Sequence, residues 1–317
     1  MSLEKQKRVR YDGAAIMVAW KEQGVSRALL DEVNAWRAQN PIAAGGRPVS
    51  PVPFVYEGRT VIEGALAALL SGEHLLLVGP KATGKNMLAA NLAAVFGRPV
   101  WNVSFHVQMD AEGLLGTDTL RDGRVVFRPG PIVECAEAGG FAVLDEINMA
   151  RNEALAVLHS LLDDRGMVEV PGHGVVELSP AARVIGTMNH GYAGTRELNE
   201  ALASRFVVLR MPELTESALL SLLTKGCPDL SDNGRNVLCK LFLALAEKHA
   251  QGEISSRAVD LRGLRSAVRM MQFGVAPWQA IAMGMIDKCM EEEEREIVFD
   301  VVRLFVGEGD SADGFFA

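Results

Sequence analysis

The 317-residue sequence predicts an α/β protein: a parallel sheet covered by helices, interrupted by two β-hairpins and followed by an all-helical region. Three observations support this. Across residues 54–211 short apolar runs alternate with segments of helical spacing, as in strands joined by helical crossovers. Two stretches of turn chemistry break that alternation. From Pro212 to about Phe305 the apolar spacing is helical throughout.

Taken in order, residues 1–53 predict a helical extension and linker. Ile16, Met17 and Trp20, then Val25, Leu29, Leu30, Val33 and Trp36, mark two short amphipathic helices broken near Gly24. The basic opening Lys5-Gln6-Lys7-Arg8-Val9-Arg10 reads as a solvated terminus, and the Pro- and Gly-rich stretch 40–53 as a linker. Strands are predicted over 75–78, 100–103, 141–144, 183–187 and 206–209. One hairpin lies within 114–131 and turns at Asp122-Gly123; the other runs 167–170 and 175–178 around Pro171-Gly172-His173-Gly174. Residues 212–306 form the helical lid, with Glu291-Glu292-Glu293-Glu294 as a solvated face, and 307–317 a flexible tail.

Composition narrows the class. No apolar run is long enough to span a bilayer, and the N-terminus lacks a signal-like apolar core, so a cytoplasmic protein is expected. Cys135, Cys227, Cys239 and Cys289 lie far apart, which suits a reducing compartment and no zinc site. A net charge of −8 argues against nucleic acid as the general partner.

The chemistry concentrates in two places. Residues 75–78 read as a buried strand, followed by Gly79-Pro80-Lys81-Ala82-Thr83-Gly84-Lys85 and a helix opening at Asn86-Met87. Strand, glycine loop and lysine at a helix start form a phosphate loop, whose backbone N–H groups and helix N-terminus attract phosphate oxygens. Lys85 would reach the outer phosphates. Gly79 to Met87 are therefore the candidate nucleotide-binding residues, with ATP and Mg²⁺ as the expected ligands. Asn86 stands where the pattern wants Ser or Thr, and offers a carbonyl oxygen instead of a hydroxyl. The second place is Asp145-Glu146, which ends the apolar run 141–144. Asp145 is expected to hold the magnesium through water, and Glu146 to act as general base.

Together these motifs resemble the AAA+ ATPases, and within them the MoxR-like group that includes CbbQ- and NorQ-type activators, over roughly residues 56–270. The resemblance implies further roles. Val184-Ile185-Gly186-Thr187-Met188-Asn189 is similar to the first-sensor strand, with Asn189 orienting water. Glu200-Ala201-Leu202-Ala203-Ser204-Arg205-Phe206 resembles the arginine-finger segment, which would put Arg205 into the next subunit's site. Ile254-Ser255-Ser256-Arg257-Ala258 resembles the second-sensor helix, with Arg257 on the γ-phosphate. The hairpins match the family's two inserts, with tips Arg121, Asp122 and His173 as candidate pore loops. Ala82 departs from the family's usual Gly, as Asn86 does from Ser/Thr, and both bear on hydrolysis more than on binding. The resemblance implies a homo-oligomeric, hexameric ring that remodels a protein client with a separate von Willebrand factor A domain protein. A nucleotide-binding scaffold with little turnover and a DNA-translocating motor are the alternatives.

Overall fold

The computed structural model describes residues 10–43, 46–189 and 197–316. The chain divides into two compact units, Met1–Pro212 and Glu213–Ala317. The first holds α1 (Gly13–Glu22), α2 (Arg27–Gln39), α3 (Arg59–Leu70), β1 (Leu75–Val78), α4 (Lys85–Val95), β2 (Val100–Ser104), α5 (Ala111–Leu115), β3 (Gly116–Arg121), β4 (Arg124–Pro129), α6 (Pro131–Ala138) and β5 (Phe141–Asp145). It continues through α7 (Asn152–Leu161), β6 (Met167–Val170), β7 (Gly174–Glu177), β8 (Arg183–Met188), α8 (Glu200–Ala203) and β9 (Val207–Arg210).

Five strands form one parallel sheet in the order β2-β5-β8-β1-β9. Every residue of β1 is buried, because helices cover both faces. On one face lie Trp20, Val33, Leu66, Leu88 and Leu92; on the other, Leu114, Val133, Leu155 and Leu158. The order places β8 between β1 and β5, so the carboxyl ends of those three strands are neighbours. Open α/β sheets bind ligands at such ends. All five predicted strands are present; β2, β5 and β8 run one residue further than expected, and β9 is shifted one residue, to Val207–Arg210.

The N-terminal extension belongs to this unit and is not a separate body. Trp20 is fully buried in the same core as α4 and donates Nε1–H to the Tyr56 carbonyl at 3.1 Å. A Cβ on Gly13 would sit 2.2 Å from the Ala94 carbonyl oxygen, so α1 meets the backbone of α4 directly. The linker is tied down too: Arg98 stacks on Trp36, 4.8 Å from its ring centroid, and donates to the Asn40 carbonyl. Of the basic opening only Arg10 lies within the described residues.

Both hairpins are present. Asp122 (φ 51°) and Gly123 (φ 76°) are both left-handed, the primed turn that an Asp-Gly pair supplies. Leu120 and Val125, paired across that hairpin, are 77% and 70% exposed. His173 is not a free tip. Its ring stacks on Phe127 of the other hairpin at 4.3 Å, with Nε2 3.9 Å from Glu137 Oε1.

The second unit holds α9 (Glu216–Gly226), α10 (Asp232–Ala250), α11 (Leu261–Gln272), α12 (Pro277–Gly284) and α13 (Glu292–Arg303) around a core that includes Leu238, Phe242, Leu264 and Val298. Two expectations are corrected here. The tail, expected to be flexible, packs onto this unit up to residue 316: Phe315 is buried, its carbonyl accepts the Ser231 N–H at 2.9 Å, and Phe316 bridges Leu230. The acidic run is not wholly solvated, since Glu294 is buried and accepts the Ser255 N–H at 2.7 Å. Among the described residues no helix is long and apolar enough to cross a membrane.

His74, just before β1, gives the sheet an acid-sensitive joint. Its Nδ1 accepts the Val184 N–H at 3.1 Å, and burial, reinforced by Arg183, pulls its pKa down to about 4. Below pH 6.5 the unfolded chain therefore takes up a proton that the folded chain refuses, and stability falls. From pH 7 to pH 5 this group should account for roughly 2 kcal/mol of loss. His74→Asn keeps an acceptor but cannot be protonated. Urea unfolding at the two pH values should show a smaller loss in His74→Asn than in the natural chain; equal losses would contradict the assignment.

Candidate active site

The loop after β1 is built by backbone conformation. Gly84 caps α4 in the left-handed region (φ 84°), and a Cβ there would come 3.1 Å from the Tyr56 ring. Ala82 also sits at φ 65°. A left-handed conformation costs an L-residue about 1 kcal/mol, which explains why glycine is expected at that position. Lys85 opens α4 and is buried. Its ammonium donates to the carbonyls of Gly79 at 2.8 Å and Pro80 at 2.7 Å, and the Thr83 hydroxyl donates to Pro80 at 2.9 Å. Burial lowers the Lys85 pKa to about 8, while Asp145 and Glu146 oppose that fall and Lys81 adds to it. A buried cation at a helix N-terminus is a natural seat for a phosphate. Lys81 and Asn86 are exposed, and Met87 is half-buried beside Gly84.

One chain of hydrogen bonds joins this loop to the ends of β5 and β8. Asn86 Nδ2 donates to Asp145 Oδ2 at 2.8 Å, and the Thr187 hydroxyl donates to Asp145 Oδ1 at 2.6 Å. The same hydroxyl accepts the Glu146 N–H at 3.1 Å. Asn189 Nδ2 donates to Glu146 Oε1 at 3.2 Å, and the Asn189 carbonyl accepts Asn148 Nδ2 at 3.1 Å. Glu146 is itself left-handed (φ 55°, ψ 45°), so its backbone must be held against about 1 kcal/mol of strain.

The donor set fits magnesium. Exposed Asn86 carries a carbonyl oxygen, and Asp145, which accepts its amide N–H, carries a carboxylate whose oxygens keep lone pairs. Carbonyl and carboxylate oxygens are the ligands that a hard cation takes. Asn86 and Asp145 would hold it there.

The structure thus brings together Gly79 to Met87, Asp145, Glu146 and Asn189. It does not add Arg205 to them. That guanidinium is held by its own chain, donating from Nε to the His159 carbonyl at 2.9 Å and from Nη1 to that of Ala201. Arg257 lies in the second unit, on an exposed turn before α11 begins at Leu261 and not on a helix as expected. Three contributors escaped the sequence reading. Thr187 lies inside a strand motif and Asn148 just after the Asp145-Glu146 pair, places where a single polar residue gives no signal of its own. Asn91, fully buried, accepts the Tyr56 N–H at 2.7 Å and donates to the Phe54 carbonyl at 2.9 Å; an asparagine on the apolar face of a helix was its signal.

Comparison with known proteins gives the family. A family profile described as AAA domain (dynein-related subfamily) matches residues 74–206, which hold the loop, both carboxylates and Asn189. The uncharacterized protein YojN of Bacillus subtilis (strain 168) is 31% identical over 250 residues, covering 77% of this chain and 82% of that protein. An uncharacterized protein of Staphylococcus aureus (strain COL) is 32% identical over 252 residues, covering 77% of this chain and 95% of that one. A solved structure described as a candidate ATPase from Cytophaga hutchinsonii covers 95% of this chain and 94% of that chain at 17% identity and a TM-score of 0.46, a likeness too distant to argue from. With an AAA-type sheet, that profile match and relatives matched along most of their length, the chain belongs to the AAA domain family, dynein-related subfamily, whose members bind nucleotide.

Proposed function

We propose that the chain binds ATP with Mg²⁺ at residues 79–87 and hydrolyses it to ADP and phosphate. The observation that carries this is the hydrogen-bonded chain that holds Asp145, Glu146 and Asn189 beside the buried Lys85 cation. Backbone N–H groups of the loop and the start of α4 take the phosphate oxygens, and Lys85 brings its charge to the outer phosphates. Glu146 accepts the proton of the attacking water as that water bonds to the γ-phosphorus and the bond to the bridging oxygen breaks. Asn189, already on Glu146 Oε1, orients that water. Magnesium, when bound at Asn86 and Asp145, supplies charge neutralisation on the phosphates.

In this reading the chain is a MoxR-like remodeller, similar to CbbQ- and NorQ-type activators, that works as a hexameric ring. Arg205 completes the neighbouring subunit's site and Arg257 senses the γ-phosphate. The client is a protein complex, reached with a von Willebrand factor A domain partner. The exposed Leu120 and Val125 of the first hairpin support a protein client over nucleic acid, because they offer apolar contact area next to its turn. A second reading, a nucleotide-binding scaffold with little turnover, is favoured by Asn86, whose amide is engaged by Asp145 where a hydroxyl ligand is usual.

Two measurements test this. Because only protonated Lys85 carries charge and its pKa lies at about 8, ATP affinity should fall about twofold from pH 7 to pH 8 and more steeply above that, by up to about tenfold per unit. Lys85→Ala should stay folded, bind far more weakly and lose that pH dependence. An unchanged profile in Lys85→Ala would remove Lys85 from the site. The ring is tested by mixing. Arg205→Ala and Glu146→Gln should each bind ATP and lose most turnover. Mixed, interfaces that pair an intact Glu146 with a neighbour's intact Arg205 should restore part of the activity. Mixed rings that form but stay inactive would show that Arg205 does not act across an interface.

A further inference from the structure

The chain of hydrogen bonds has one member that touches both carboxylate-bearing residues. The hydroxyl of Thr187, at the end of β8, donates to Asp145 Oδ1 at 2.6 Å and accepts the Glu146 N–H at 3.1 Å. Thr187 is 1% exposed and sits between β1, where it pairs with Leu77, and the last paired residue of β5, Leu144, opposite Gly186. Its backbone is held in the ladder to β1, one residue past the end of the ladder to β5, so its hydroxyl is a rigid reference point. The bond to Asp145 is short and charge-assisted. The bond from Glu146 holds a residue whose left-handed backbone (φ 55°) would relax without a partner.

We propose that Thr187 is the positioning residue for both carboxylates: one hydroxyl fixes the rotamer of Asp145 and the backbone of Glu146 together. This rests on the ATPase reading for its kinetic consequence, and on geometry alone for the clamp. The hydroxyl touches neither the nucleotide-binding loop nor Asn189, so its loss should leave ATP binding in place and misplace the base. It should also weaken the response to magnesium through Asp145.

The test compares the natural chain with Thr187→Val, which keeps the shape and removes the hydroxyl, and Thr187→Ser, which restores it. Without nucleotide, amide hydrogen exchange of residues 145–149 should be faster in Thr187→Val and near natural in Thr187→Ser. With ATP, kcat should fall about 30-fold in Thr187→Val, equivalent to ~2 kcal/mol, while KM for ATP moves by less than about threefold. The gain in Tm that Mg²⁺ adds to ATP should shrink in the same variant, and Thr187→Ser should recover all three. If Thr187→Val does not fold, Thr187→Cys, a weak donor of similar size, replaces it with the same expectations. Unchanged exchange, unchanged kcat, or a Thr187→Ser variant as impaired as Thr187→Val would overturn the proposal. A natural chain that turns over no ATP would sink the ATPase reading, while the exchange and magnesium measurements still decide whether the clamp exists.

Discussion

The Asp145 carboxylate is where the separate parts of the molecule meet. One oxygen is held from α4 by Asn86, the other from β8 by Thr187, while the residue itself ends β5. Three elements far apart in sequence therefore share one acidic group. Without its hydrogen bonds the carboxylate would be a half-buried charge next to a second carboxylate, Glu146. With them, it fixes the distance from the loop after β1 to the end of β5. The buried Lys85 cation, close enough to feel both carboxylates, supplies the compensating charge.

Strain gathers at the same place. Ala82 and Glu146 are two of the three non-glycine residues with positive φ among those described, and both line this site; the third, Asp122, forms a hairpin turn. Such conformations persist only where neighbouring contacts determine them. Around Glu146 those contacts are the Thr187 hydroxyl and the Asn189 amide. Around Ala82 they are the bonds that close the loop, from Lys85 and Thr83 to the Pro80 carbonyl. The N-terminal helices stiffen the loop from behind. Trp20 and Gln23 both donate to the Tyr56 carbonyl, and the Tyr56 ring lies against Gly84.

Much of this was legible in the sequence, and the reason differs by element. The phosphate loop could be read because glycine, lysine and a helix start are requirements of backbone chemistry, local in the chain. The five strands could be read because central parallel strands are apolar on both faces, which leaves uninterrupted runs such as residues 75–78. The hairpins announced themselves through Asp122-Gly123 and Pro171-Gly172. What escaped depends on contacts between distant residues. Amphipathic spacing at Trp20 and Trp36 shows that a face is covered, but not that α4 and Arg98 cover it. Glu294 looked like one more charge in an acidic run because its partner, the Ser255 N–H, is 39 residues away. The tail looked disordered by composition, yet Phe315 fills the helical core. Thr187 was hidden inside a strand motif, where a single hydroxyl passes for ordinary strand composition. The resemblance to the second-sensor helix puts Arg257 on a helix, but α11 begins only at Leu261.

The most direct measurement is an experimental structure of the chain with a non-hydrolysable ATP analogue and Mg²⁺. The account predicts the triphosphate against the backbone of residues 79–85, with Lys85 Nζ turned from the Gly79 and Pro80 carbonyls to a phosphate oxygen. The cation should sit beside Asn86 and Asp145, and the Thr187 hydroxyl should remain on Asp145. A nucleotide bound elsewhere, or one bound there while Lys85 keeps both carbonyls and no cation lies near Asp145, would contradict it.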